Sequence, residues 1–240
     1  MNIFNNFLSN YKENPNKVFL QLKDSNKKFT YLDIYKNTLE IIHRLKEHKR
    51  KKIGLILEND QNFVSAILAS LYLKICIVPL NSKISTQDQK KQIRNFDVNT
   101  VIIDSRLRNK FKNFKKIKKI FIEKNNISHL NKRNKLKPIE DTDFNFLISS
   151  TSGSTGDPKG IVLTYKNKVD RVNILKKLYK IKNQDKLLIS TPLYHTLGFR
   201  LILFSLMFGN PVLLLNNFNL NALQESLRDY NVAFYMTVSS

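Results

Sequence analysis

The chain has 240 residues, 42% of them hydrophobic, which is enough apolar side chain for one large domain or two small ones and excludes a chain disordered throughout. Its 41 Lys and Arg against 19 Asp and Glu leave a formal net charge of +22, and its single cysteine, Cys76, excludes an internal disulfide framework and a Cys-rich metal site. Two readings of the charge compete. One is a polyanion partner, such as nucleic acid or an acidic membrane surface. The other is composition: Lys, Asn, Ile and Phe abound while Gly (6) and Trp (0) are scarce, as an AT-rich genome would produce. The basic residues are scattered along the chain and not gathered on one helical face, which favours the second reading.

The first residues, Met1-Asn-Ile-Phe-Asn-Asn, lack a basic region followed by an apolar run, so no secretory leader is visible. With the lone cysteine this sets the expectation of a cytoplasmic protein. Thr30-Tyr-Leu-Asp is capping-box-like and opens an amphipathic helix to about Glu47. Lys52 to Leu57 suits a buried strand, Asp60 starts a helix through Tyr72, and Ile75 to Leu80 is a second strand containing Pro79. Ser85 caps a polar helix to about Phe96, and Val101 to Asp104 and Ile120 to Glu123 read as strands. Between Ser105 and Lys137 stand thirteen Lys or Arg and one acid, Glu123; such a run suits either a polyanion or, more commonly, a solvated surface.

The second half continues in the same style. Phe144 to Ser149 is a predicted strand, Ser150 to Gly160 a polar loop, Ile161 to Thr164 a strand and Tyr165 to Lys180 a helix. Lys186 to Ser190, Pro211 to Leu215 and Val232 to Thr237 are strands, and Thr196 to Phe208 and Leu220 to Tyr230 helices. The most apolar stretch, Leu201 to Leu215, is too short to span a bilayer comfortably and is broken by Gly209, Asn210 and Pro211; a buried helix followed by a buried strand explains it. Strands alternating with helices of this length predict an α/β fold of layered, parallel-rich sheets with flanking helices.

The loop from Thr151 to Gly160, Thr-Ser-Gly-Ser-Thr-Gly-Asp-Pro-Lys-Gly, is the segment with chemistry in it. Gly153 and Gly156 let the backbone turn sharply and present N–H groups to an anion. Thr151, Ser152, Ser154 and Thr155 add four hydroxyls, and Lys159 a compact positive charge. The string is not a Walker A loop, because Lys159 is followed by Gly160 and the glycine spacing differs; nor is it the Gly-x-Ser-x-Gly nucleophile elbow. A ligand-free Ser/Gly loop is the plainer alternative, but few other purposes need so many donors in ten residues directly after a strand.

The string resembles the signature loop of the AMP-forming adenylate superfamily, which comprises acyl-CoA synthetases, aryl-CoA ligases, luciferases and peptide-synthetase adenylation domains. Every position from Thr151 to Gly160 fits that family's Ser/Thr-Ser-Gly-Ser/Thr-Thr-Gly-x-Pro-Lys-Gly form. Ala69 to Asn81 is similar to an earlier family element, with Ile75 and Cys76 in place of Ala-Gly. Ile161 to Asn167 resembles Val-x-Leu-Thr-His-x-Asn, with Tyr165 in place of His. Thr191 to Gly198 is similar to the Pro-Leu-aromatic-His motif, and Tyr230 to Ser240 to the strand reaching a Val-Pro element, with Ser239 where Pro usually stands.

The resemblance implies that residues 1–240 form the partial N-terminal adenylation (AMP-binding) domain, without the C-terminal domain. It implies that the loop binds the β,γ-phosphates of ATP with Mg²⁺, through Thr151, Ser152, Gly153, Ser154, Thr155, Gly156 and Lys159. A carboxylic acid then attacks the α-phosphate to give an acyl-adenylate and pyrophosphate, and a thiol, normally that of CoA, takes the acyl group. Lys159 and His195 are the implied catalytic residues, His195 standing near the carboxylate and gating the acyl pocket; the bland alternative for His195 is a satisfied, partly buried imidazole. His43, His48 and His129 lie in polar surroundings and read as surface residues. Phe199 to Phe208 suits either an acyl pocket or a core helix. The family's Tyr-Gly-x-Thr-Glu element, ribose-binding Asp, hinge and late Lys do not occur before Ser240. The expectation is therefore the N-terminal portion of an ATP-dependent acyl-CoA synthetase. The rivals are an adenylation domain that loads a carrier-protein thiol, an inactive truncated relic, and a basic polyanion binder; a separate chain supplying the other half is a further implied partner. The final apolar strand predicts an exposed sheet edge.

Overall fold

The computed structural model describes residues 2–46, 52–112, 114, 117–123, 135–140, 142–151 and 159–237, with backbone alone at 151 and 159. It contains two sheets. The first has six strands: β3 (Lys52–Ile56), β4 (Cys76–Pro79), β5 (Thr100–Asp104), β6 (Lys118–Ile122), β7 (Asn145–Thr151) and β8 (Lys159–Thr164). Their order is β6-β5-β3-β4-β7-β8, parallel throughout except for the antiparallel β7–β8 pair. The second has five: β1 (Val18–Leu22), β2 (Lys28–Thr30), β9 (Leu187–Ile189), β10 (Val212–Leu214) and β11 (Phe234–Tyr235). Their order is β11-β9-β10-β1-β2, and only β1–β2 is antiparallel. The layered, parallel-rich α/β architecture expected from the sequence is the one found.

Alternation along the strands sorts the core into layers. Ile53 and Leu55 of β3 join the largest apolar cluster, whereas Ile56 faces the other way with Val78, Val101 and Ile103. In the second sheet Leu187, Ile189, Val212 and Leu214 share the largest cluster, and Leu188 and Leu213 face a separate one under α8 (Leu220–Asp229). Both sheets thus turn one face to a common layer of helices. That layer contains α1 (Ile3–Glu13), α2 (Tyr31–Leu45), α3 (Gln61–Leu73), α6 (Tyr165–Tyr179) and α7 (Thr196–Phe208). Helix α4 (Thr86–Asn95) and the short α5 (Arg108–Phe111) cover the outer face of the six-stranded sheet through Ile93 and Phe111.

Local chemistry explains where the helices start. Thr30 accepts from the Asp33 N–H while Asp33 accepts from the Thr30 N–H and hydroxyl, so the capping box at α2 is reciprocal. Thr164 and Asn167 repeat the arrangement at α6. Ser85 and Asp60 cap α4 and α3. Helices α3 and α7 bury residues on every side, as helices inside a layered core must. Of the two readings of Phe199 to Phe208, the core is where this segment lies: Phe199, Ile202, Leu203, Phe204, Leu206 and Met207 are all buried.

The first 30 residues supply three elements that the sequence pattern above did not single out: α1, β1 and β2. Their signal is present in retrospect, since Ile3, Phe4, Phe7 and Leu8 fall on one helical face. Helix α1 is held by side-chain amides. Asn5 exchanges two hydrogen bonds with the backbone of Ile139, at 3.0 and 2.9 Å, and Asn6 donates to the Met207 carbonyl at 2.9 Å.

Tyr165, which stands where the resembled motif has His, is structural. Its ring stacks on Phe144 with centroids 5.3 Å apart, and it meets Phe146 edge-on. Its hydroxyl accepts from the Ile3 N–H at 2.7 Å and donates to Asn2 Oδ1 at 2.9 Å, closing the N-terminus of α1. Burial pushes the phenol up to about 12. Tyr165→Phe is expected to leave the Ile3 N–H buried without that partner and to lower stability by about 1–3 kcal/mol in urea unfolding.

Candidate functional site

Strand β7 runs into the signature loop and β8 leaves it. The two pair antiparallel, with Ser149 opposite Ile161, Ser150 opposite Gly160 and Thr151 opposite Lys159. The backbone of Thr151 and Lys159 is therefore paired across the two strands of a hairpin. Ser152, Gly153, Ser154, Thr155 and Gly156 lie outside the described residues, as do the side chains of Thr151 and Lys159. Gly160 is required by packing: a Cβ there would stand 2.9 Å from Ile148 Cγ2 and 3.1 Å from the Phe96 ring. Its hydrogen lets Phe96 lie against the base of the hairpin.

The N-terminus of α7 meets the same hairpin. Ser149 Oγ and Thr196 Oγ1 are 3.2 Å apart, so a hydroxyl pair joins the end of β7 to the first residue of α7. His195 is the N-cap residue of α7, with extended backbone and no side-chain capping bond. Its ring is exposed and lies 4.5 Å from the Tyr194 ring, tilted by 44°. The protein mass on its inner side disfavours the imidazolium and lowers its pKa below the usual 6.5. Tyr194 is shifted upward, first by burial and then by the charge of Glu58. His43 is exposed, as expected, while His48 and His129 lie outside the described residues.

Two further residues fix this corner. Asn59 Oδ1 accepts from the Leu193 N–H at 2.8 Å, and its amide donates to the Leu215 carbonyl at 3.2 Å. One buried side chain thereby ties the β3–α3 connection to the turn before α7 and to the end of β10. Gly198 admits the turn itself: a Cβ there would lie 2.5 Å from the carbonyl oxygens of both Thr191 and Pro192. Sequence reasoning did not single out Asn59; its only signal was its place just before the Asp60 cap. The carboxyl ends of β3, β9, β10 and β7 thus converge with the N-terminus of α7, the end of parallel sheets where ligands usually sit.

Among the described residues no group of three or more His, Cys, Asp or Glu is placed to hold a metal ion. The basic run from Ser105 to Lys137 spends several of its described cations internally. Arg106 bonds Asp104, Arg108 stacks over Phe121 with 4.3 Å to the centroid, and Lys119 donates to the Phe111 carbonyl at 3.1 Å. No described helix is long and apolar enough to cross a membrane.

A family model described as "AMP-binding enzyme" matches residues 7–240. The chain belongs to this AMP-binding enzyme family. Curated relatives include the 2-succinylbenzoate–CoA ligase of Bacillus pumilus (strain SAFR-032), 25% identical over 231 residues, covering 94% of this chain and 46% of the relative. The ligase of the same name from Bacillus subtilis (strain 168) is 23% identical over 233 residues, again covering 94% and 46%. Among solved structures, the inhibitor-bound N-terminal domain of FACL13 from Mycobacterium tuberculosis superposes with a TM-score of 0.84 at 17% identity, covering 98% of this chain and 62% of that one. O-succinylbenzoate coenzyme A synthetase from Bacillus subtilis, in complex with ATP and magnesium ion, superposes with a TM-score of 0.80 at 20% identity, covering 96% and 62%. The chain spans about half the length of the curated relatives it matches. The adenylate-forming fold of its AMP-binding portion follows from these superpositions.

Proposed function

We propose that this chain is the ATP-phosphate-binding part of an AMP-forming carboxylate–CoA ligase. The observation that supports the reading most is the hairpin, in which Thr151 pairs with Lys159 and so brings the two ends of a Ser/Thr/Gly loop together beside the N-terminus of α7. Between them in sequence stand Ser152, Gly153, Ser154, Thr155 and Gly156, whose backbone N–H groups and hydroxyls suit a polyphosphate, followed by the cationic Lys159. That donor set fits ATP phosphates, and Mg²⁺ bound with them would supply charge neutralisation on the leaving pyrophosphate. Thr151 to Gly156 position the phosphates, and Lys159 offsets their charge.

His195 stands at the mouth of the same corner. A neutral, exposed imidazole there donates a ring N–H to the carboxylate of an entering acid and lies tilted against Tyr194, without presenting a fixed charge. The residues that carry the reaction are thus Lys159 and His195. The acceptor is CoA, and the curated relatives named 2-succinylbenzoate–CoA ligase point to an aromatic or aliphatic carboxylic acid as the substrate class. An adenylation domain charging a carrier-protein thiol would share the first half-reaction and differ only in the acceptor.

The test is Mg²⁺-dependent binding of ATP and acid-dependent pyrophosphate release. Lys159→Ala is expected to weaken Mg·ATP at least tenfold, since it removes a cation from a polyphosphate site. Unchanged ATP binding in that variant would remove the assignment of this loop.

A further inference from the structure

Where α1 and α2 meet the segment around Leu136, they enclose a cavity of about 340 Å³. Leu8, Tyr11 and Lys12 of α1, Tyr35 of α2, and Lys135 and Leu136 line it. Two of the lining rings pair: Tyr11 and Tyr35 stack with centroids 4.0 Å apart and 6° between their planes. Leu8 and Leu136, both buried, add aliphatic surface. Lys12 and Lys135 are exposed and supply two positive charges, and no lining residue is acidic.

Tyr35 adds a polar group that the fold leaves half used. The residue is 7% exposed, and its phenol oxygen accepts from the Leu136 N–H at 2.9 Å. Among the described residues no acceptor takes the hydrogen of the same hydroxyl. Buried donors are normally paired, so this one is left for whatever enters the cavity.

The cavity is apart from the candidate site. Asn6 donates to the Met207 carbonyl at 2.9 Å, and Asn10 Oδ1 lies 3.0 Å from where a Cβ on Gly209 would stand. Helix α1 is thereby moored at the carboxyl end of α7, whereas His195 caps the other end. At about 1.5 Å per residue, α7 separates those ends by roughly 20 Å. The α1 residues that line the cavity therefore stand at the opposite end of α7 from His195.

Two cations, an unused O–H donor and an apolar lining suit an anion carried on an apolar body. An inorganic anion would leave the rings and leucines uncovered. A hydrocarbon would leave the lysines and the Tyr35 hydroxyl without a counterpart. The volume is near the lower end of the range for small-molecule sites, about 300–1,000 Å³, which suits a body of one or two rings. We propose that this cavity binds a small carboxylate with a planar apolar body. The carboxylate pairs with Lys12 and Lys135 and accepts from the Tyr35 hydroxyl, and the body lies against Tyr11, Leu8 and Leu136. The site is additional to the acid site proposed beside His195 and does not depend on the ligase reading.

Isothermal titration of the chain with 2-naphthoate at constant ionic strength tests this. 2-Naphthalenemethanol is the control for the body without the charge, and inorganic phosphate for the charge without the body. Saturable binding of 2-naphthoate is expected, with the alcohol and phosphate each at least tenfold weaker. Binding should be retained in His195→Ala and weakened at least tenfold in the double variant Lys12→Met/Lys135→Met. Both lysines are exposed, so that variant should keep the parent's far-UV circular dichroism and urea midpoint. Absence of saturable 2-naphthoate binding overturns the proposal. So does equal binding of the alcohol, which would mean apolar contact alone, or equal binding of phosphate, which would mean a basic surface alone. Binding lost in His195→Ala would place the acid at the N-terminus of α7 and overturn it too, as would binding that survives the double substitution.

Discussion

Gly198→Ala is expected to destabilise the chain by about 3 kcal/mol, and to do so from beside the site and not from the core. The added methyl would lie 2.5 Å from the carbonyl oxygens of both Thr191 and Pro192 and 2.9 Å from the Pro192 carbonyl carbon. No flexible side-chain tip is there to swing aside; all three obstacles are backbone. The Pro192 carbonyl also accepts from the His195 N–H at 3.0 Å, and the Leu193 N–H is held by Asn59 at 2.8 Å. The turn therefore cannot retreat without breaking bonds at both ends, and overpacking against an immobile wall costs at the upper end of the usual range. Two measurements check it: a urea midpoint that falls with little change in slope, and displacement of His195, seen as a changed imidazole chemical shift. A variant as stable as the parent would mean that Thr191 and Pro192 do not form this turn.

Lys168→Met is expected to act in the opposite direction and to raise stability at neutral pH by about 3 kcal/mol in anion-free buffer. Burial, then the charges of Arg171 and Arg200, push the Lys168 ammonium down to about 8 from its ordinary 10.5. Between those two pH values the unfolded chain binds a proton that the folded chain does not, so stability rises with pH there. Lowering the pH through 8 completes the loss, which at ~1.4 kcal/mol per unit amounts to roughly 3 kcal/mol. Methionine keeps the unbranched stem against Phe199 and removes the charge. The parent should therefore gain stability between about pH 8 and 10, and the variant should not. Above that range the buried phenols intervene: Tyr165 titrates at about 12 in the fold, and its earlier ionisation in the unfolded chain works against folding. A flat parent profile between pH 8 and 10 would show that the ammonium is already paired.

These two sites were not equally visible beforehand. Gly198 lies within the Thr-Pro-Leu-Tyr-His-Thr-Leu-Gly string that carried part of the family resemblance, so the sequence located it without saying what a side chain there would meet. Lys168 looked like one more lysine in a basic helix. Its burial depends on how α6 settles on α7, and nothing in the spacing of Lys166, Lys168, Lys176 and Lys177 separates the one inside from those outside. Tyr165 is intermediate. Its departure from the resembled motif was legible, whereas its bond to the Ile3 N–H joins residues 162 positions apart.

Read along the chain, the capping boxes at Thr30 and Thr164, the strands from Lys52 onward and the break at Gly209, Asn210 and Pro211 were determined locally. Caps need only a side chain within three residues of an N–H, and buried parallel strands announce themselves as short apolar runs. The signature loop was legible for the same reason, since its donors are consecutive. What only the tertiary structure decided is long-range: that the strands divide into two sheets sharing one helical layer, and that β1 crosses from the first residues to pair with β10. It likewise decided that Asn59 spans the β3–α3 connection, the turn before α7 and the end of β10, and that Lys168 is enclosed beside two arginines. Pairing between distant segments is set by which burial satisfies the most apolar surface and backbone hydrogen bonds at once, and that sum has no local signature in any window of sequence.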